Sequence, residues 1–230
     1  MNETACFFCK LKESGRFDSL TETEKELIQG QHKCEVFTRS QIIFYLDKPS
    51  DEVYSIHSGR IKLYKTGTNN DRQVVRLLGP GDIMGFRAAI SHESYTATAE
   101  VVTKATICKI PKELLIKLMK DSQQFTEEIL VKVAVELRQA EEKILSFALH
   151  SVKKRCANFL LTMFDPQTVT EGEPILTVPL LRIEIAQIIG ISPETLSRTL
   201  KTLADEKIIQ ITRKDISILN LNALKTIAAK

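Results

Sequence analysis

No stretch of this 230-residue chain is apolar for long enough to cross a bilayer, and no Lys- or Arg-flanked apolar leader opens it. The expectation is a cytoplasmic protein with no membrane partner. Also missing are a glycine-rich phosphate loop, an H-E-x-x-H helix and a G-x-S-x-G elbow, the arrangements that announce nucleotide turnover, zinc proteolysis and acyl transfer. An enzyme is therefore not expected. Nothing repeats at a solenoid period. The four histidines, His32, His57, His92 and His150, are scattered without the pairing of a haem or zinc site and read as surface or core-edge residues. Cysteines number five, odd for a chain without an export signal. That argues against a disulfide framework and for reduced thiols, some of them available to a metal.

Net charge is scarce as well, since +3 is too small to indicate nucleic acid by itself. Its distribution says more. From Ser151 onward there are 11 Lys and Arg against 8 Asp and Glu, so the entire surplus lies in the last third of the chain. With 43% hydrophobic and 27% charged residues, the length suffices for two modest cores.

Within the basic segment, Ile185 to Leu203 carries the spacing of two short helices packed at a steep angle. Ile185, Ile189, Leu196 and Leu200 supply the internal contacts, Ala186 allows close approach, and Gly190 stands where the turn of a helix-turn-helix needs it. Ser192 is a natural N-cap and Pro193 suits the first helical position. Glu194, Thr195, Ser197, Arg198 and Lys201 follow, and the N-terminal end of the second helix is the end that meets base edges in this motif. Two β-branched runs, Ile208 to Thr212 and Ile216 to Leu219, flank the polar turn Arg213-Lys214-Asp215 and read as a wing. Arg213 and Lys214 are candidates for phosphate contacts, with a solvated hairpin tip as the alternative.

Upstream, Cys34 to Ile110 is a succession of short strands: Gln41 to Tyr45, Val53 to His57, Arg60 to Lys65, Gln73 to Leu78, Thr96 to Val102 and Thr106 to Ile110. Turns are expected at Ser58-Gly59, Gly67 to Asn70 and Gly79 to Asp82, giving a β-roll or barrel. After Pro111 the period becomes helical. Leu130, Val133, Leu137, Ala140, Ile144 and Phe147 draw an apolar seam along one long helix. Such a seam suits pairing with a second copy of the chain, the alternative being packing on its own β-domain. A further helix runs from Ser151 to Phe164. The expected fold is α+β: a β-roll sensor domain with a Cys-containing N-terminal tail over 1–120, a dimerisation helix over 121–150 and a winged helix-turn-helix over 151–230.

This order of parts, with GPGDIMGF at Gly79 to Phe86, ICKIPKE at Ile107 to Glu113 and PETLSR at Pro193 to Arg198, resembles the Crp/Fnr family of bacterial regulators. The family takes its name from the cyclic-AMP receptor protein and the fumarate and nitrate reduction regulator. The resemblance implies a homodimeric transcription factor that binds double-stranded DNA at a palindromic operator and works with RNA polymerase, its two recognition helices entering major grooves about 34 Å apart. The Fnr branch reads its half-site through E-x-x-S-R, which Glu194, Ser197 and Arg198 match, so the implied operator is TTGAT with its inverted copy. Arg198 donates twice to guanine and Glu194 accepts from a cytosine amino group. The competing reading is a ligand- or redox-responsive signalling protein whose helix-turn-helix contacts protein.

Family members that bind cyclic nucleotides hold the ribose with a Glu after Gly and the phosphate with an Arg before Ser. Here those positions read Gly85-Phe86 and Tyr95-Thr96, and Arg87 is one residue away from the Glu position. Losing the guanidinium forfeits about 1.5–3 kcal/mol, so cyclic AMP is not the expected effector. Fnr-like sensors instead hold an iron–sulfur cluster. By that resemblance Cys6, Cys9 and Cys108 match ligand positions, while Gly15 stands where the third N-terminal ligand belongs. Cys34, His32 or an outside ligand would have to complete the set. Zinc, a cluster and reversible thiol oxidation remain open for Cys6 and Cys9. The plainer reading makes Cys34, Cys108 and Cys156 small buried apolar residues and leaves Cys6 and Cys9 on a tail.

Overall fold

The structure is a computed structural model that describes residues 33–68, 71–163, 175–177, 180–212 and 215–229. Cys6, Cys9, Gly15, His32, Arg213 and Lys214 lie outside the described residues. The chain separates into two compact units, Met1–Gln139 and Ala140–Lys230.

The first unit holds six antiparallel strands: β1 Lys33–Phe37, β2 Ile42–Phe44, β3 Glu52–Thr66, β4 Arg72–Leu78, β5 Ile83–Met84 and β6 Thr98–Pro111. Strand order is β1-β6-β3-β4, with β2 on β6 and β5 on β3. Two expected strand pairs are fused here. Val53 to His57 and Arg60 to Lys65 form one strand, β3, and the two segments expected between Thr96 and Ile110 merge into β6, which starts at Thr98. Ser58-Gly59 is a bulge and no turn, because β3 and β6 keep pairing across it with shifts of register. Gly59 sits at φ +87°, and a Cβ there would lie 2.5 Å from the Lys104 carbonyl oxygen, so the two backbones touch where the roll bends.

Helix α1 Phe86–Ser91 lies between β5 and β6 in the chain, and α2 Lys112–Asp121 and the long helix α3 Gln123–Leu149 follow β6. Phe125 and Ile129 of α3 join Val53, Phe86, Cys108 and Leu115 in one apolar cluster. The stripe of α3 that meets the roll is therefore Phe125, Ile129 and Glu136, four and seven residues apart. Leu130, Val133, Leu137, Ala140 and Ile144 stand on the exposed side.

Cys34 and Cys108 face each other in register between β1 and β6, with Cα atoms 4.1 Å apart, and form a disulfide. This corrects the expectation of reduced thiols at these positions. The Cys108 sulfur, expected as a metal ligand, is bonded to Cys34 and its side chain is fully buried, so it is not a free thiolate in this structure. Cys156 alone is free among the described cysteines, and it is buried as a small apolar residue. Among the described residues, no three His, Cys, Asp or Glu side chains come together as a metal site.

The second unit comprises the end of α3, then α4 Val152–Met163, β7 Ile175–Thr177, α5 Arg182–Ile189, α6 Pro193–Asp205, β8 Ile209–Ile211, β9 Asp215–Ile218 and α7 Leu221–Ala229. The small sheet runs β7-β9-β8, antiparallel throughout, with Ile209 opposite Ile218 and Ile211 opposite Ile216. It supplies the wing. No described helix is long and apolar enough to cross a membrane.

Candidate nucleic-acid interface

Helix α5 begins where the Leu181 N–H donates to the Glu184 carboxylate at 2.7 Å, filling a donor that a helix start would otherwise leave bare. It ends at Gly190, left-handed at φ +69°, with the Ile191 N–H returning to the Ala186 carbonyl at 3.0 Å. That six-to-one bond is the Schellman closure glycine permits. Two residues later Ser192 caps α6, its Oγ accepting from the Thr195 N–H at 3.2 Å, with Pro193 at the first position. The turn is thus closed at both ends by the residues the sequence singled out.

Ile185, Ala186, Ile189, Leu196, Leu200 and Leu203 are buried. Most of them surround one apolar centre with Cys156, Phe159, Leu160 and Ile216. Burying that stripe of α6 forces the opposite one outward. Glu194, Ser197, Arg198 and Lys201 are exposed and Thr195 is half-buried. The Arg198 Nη2 reaches Thr195 Oγ1 at 3.4 Å, a loose contact that leaves the rest of the guanidinium to solvent. Its own backbone N–H, the Ser192 hydroxyl and Arg198 together hold the Glu194 carboxyl below its ordinary pKa. The tip of α6 therefore carries an ionised acceptor, a hydroxyl and a guanidinium within its first two turns, the chemistry that reads base edges.

The seam residue Phe147 also makes a contact within its own chain. Its ring lies against Gly190 of the same chain, with ring carbons 3.0 to 3.2 Å from where a glycine Cβ would be. The Arg155 guanidinium carbon is 5.7 Å from the ring centroid, while Arg155 Nη1 donates to the carbonyls of Ile189 at 2.8 Å and Gly190 at 3.3 Å. Nothing in the helical period distinguished Phe147 from Ile144, so the sequence could not have separated them.

Two features of the roll also escaped the sequence. Glu136, read as a polar flank, is buried with its carboxylate 2.8 Å from Arg76 and 3.5 Å from Arg87. Its spacing of seven from Ile129 was the available signal. The cleft between α1 and the roll is closed by aromatic rings: Phe44 stacks on Tyr95 at 4.1 Å, and the Tyr95 hydroxyl donates to the Glu52 carbonyl at 2.7 Å. Burial above all pushes the Tyr95 phenol pKa up, as expected for a ring packed into the wall. About 40 Å³ remains in a cleft lined by Lys65, Arg76 and Arg87, against about 300 Å³ or more for a small-molecule pocket.

A family model described as a cyclic nucleotide-binding domain matches residues 34–122, and one described as a Crp-like helix-turn-helix domain matches residues 154–227. The probable transcriptional regulator flp of Lacticaseibacillus casei is 31% identical over 170 residues, 74% of this chain and 76% of that protein. The fumarate and nitrate reduction regulatory protein of Vibrio cholerae is 28% identical, covering 94% of this chain and 82% of that one. Among solved structures, FixK2 from Bradyrhizobium japonicum aligns with a TM-score of 0.77 at 26% identity, over 86% of this chain and 98% of that one.

Proposed function

Since the chain belongs to the Crp/Fnr family of transcriptional regulators, with a helix-turn-helix DNA-binding domain, we propose that it acts as a homodimer reading a TTGAT-type inverted repeat. The observation that carries this reading is the tip of α6. Glu194, Ser197 and Arg198 are exposed around a capped helix start whose other face is fully buried. Arg198 pairs with guanine and Glu194 with a cytosine amino group, while Thr195 and Lys201 hold the neighbouring backbone. Arg213 and Lys214, which the sequence sets between the two β-branched runs, add phosphate contacts without sequence information.

Dimerisation through α3 is supported by the exposure of Leu130 (60%), Leu137 (60%) and Ile144 (68%), large apolar side chains in a regular stripe. The protein works in the cytoplasm with RNA polymerase as partner, and its relatives are transcription regulators and not enzymes. The signal enters through the roll or through Cys6 and Cys9, and cyclic AMP is not that signal.

Selection of bound sequences from random duplex DNA, in air and without oxygen, tests the reading. Recovery of an inverted repeat with TTGAT half-sites, bound with an affinity that falls steeply with salt, is the expected result. A strictly monomeric protein that prefers no inverted repeat over its scrambled version would refute it.

A further inference from the structure

We propose that Phe147 and Arg155 are positioning residues for DNA reading: together they fix the direction in which α6 leaves the end of α3, and so set the half-site spacing the dimer accepts. The inference rests on the dimeric DNA-reading function above and adds to it a determinant of operator geometry outside the base-contacting tip.

Gly190 is the last residue before the turn into α6, and its Cα face carries no side chain where the Phe147 ring sits at 3.0 to 3.2 Å from the missing Cβ. Glycine is required there twice, by its φ of +69° and by the ring. A flat ring pressed on bare backbone leaves little freedom to slide, because any tilt of α5 against α3 drives backbone into aromatic carbon. Arg155 closes the joint from a third element, α4. Its Nη1 grips the two carbonyls at the C-terminal end of α5, where the helix dipole favours a cation, and its guanidinium lies over the same ring. Lys143, one turn earlier on α3, approaches that ring at 5.6 Å.

The connections are short, which gives the joint its leverage. Only His150 and Ser151 separate α3 from α4, and only Gly190, Ile191 and Ser192 separate α5 from α6. A small rotation at Gly190 passes directly into the reading helix. Phe147 is 40% exposed against 68% for the preceding seam residue Ile144, because part of its ring is covered by Gly190 of the same chain.

The test uses the full-length protein with Phe147→Ala, and Arg155→Gln as a second variant that leaves the apolar packing in place. Affinity is measured for the selected inverted repeat, for versions with the spacer lengthened or shortened by one base pair, and for a single half-site, alongside sedimentation for the dimer. Both variants are expected to remain dimeric and to keep half-site affinity within about threefold, while the preference for the native spacer drops by about tenfold or more. Unchanged spacer preference in both variants overturns the inference. Loss of the dimer in Phe147→Ala with normal spacer preference in Arg155→Gln also overturns it, returning Phe147 to the seam. If wild type itself shows no preference for any inverted repeat, the underlying function fails, and that outcome is separate from the other two.

Discussion

In the roll unit the charged side chains sit in close pairs, Lys62 on Glu100 at 2.8 Å and Arg76 on Glu136 at 2.8 Å, whereas in the helical unit Glu194, Ser197 and Arg198 stand in solvent around a helix start. Lys62 and Glu100 are themselves buried, directly opposite each other on β3 and β6. Charges paired this way are satisfied internally and serve to hold strands in register. Those at the tip of α6 make only local, solvent-exposed contacts with Ser192 and Thr195 and with each other, so much of their hydrogen-bonding capacity is left for something outside the chain. The helical unit has internal pairs as well, Lys153 on Glu206 at 2.6 Å, so the contrast is between such pairs and the charges displayed at the tip of α6.

The comparison predicts opposite phenotypes for the two kinds of residue. Arg198→Ala should weaken binding to the selected operator by about 1–3 kcal/mol per half-site and relax specificity at one guanine, with the melting temperature unchanged. Fluorescence anisotropy with wild-type and guanine-substituted duplexes measures it, and equal affinity of variant and wild type would break the contrast. Ile107→Ala in the roll should do the reverse, costing about 2–5 kcal/mol in urea unfolding because a fully buried side chain is removed from between strands. Glu136→Gln should cost about 1–3 kcal/mol, since two guanidinium groups lose their shared anion.

Ser192→Ala joins the two classes, because the same hydroxyl caps α6 and lies beside the reader. It should lower stability by about 0.5–2 kcal/mol and weaken operator binding only slightly. The smallest effect concerns Cys156, whose thiol burial pushes up to about 11. At pH 8 roughly one molecule in a thousand carries the thiolate, so native protein bearing Cys6→Ser and Cys9→Ser should resist iodoacetamide. After denaturation without reductant one cysteine should label, and three should with reductant. Three labelled in both cases would remove the Cys34–Cys108 disulfide.

The helix-turn-helix was legible because its signals are local. A cap at Ser192, a proline at 193 and a glycine at 190 act within a few residues, and the structure uses each as the sequence suggested. The roll was legible only in outline. Gly59 looks the same in sequence whether it turns a chain or bulges a strand, and the deciding contact comes from Lys104 and Ala105, more than forty residues away. The cysteine expectation failed for the same reason, since the register that sets Cys34 against Cys108 is a property of paired strands and not of spacing. On α3 the apolar period was correct, but its two stripes had different partners. Only packing shows that Ile129 and Glu136 face the roll, and only packing shows where the Phe147 ring goes.

The lowered pKa of Glu194 has a regulatory corollary. A group held deprotonated by its own helix terminus keeps its negative charge through any ordinary drop in cellular pH, so the pattern offered to DNA is constant across physiological conditions. Under the proposed dimeric reading, control would operate on where the two tips are held, and not on what they say.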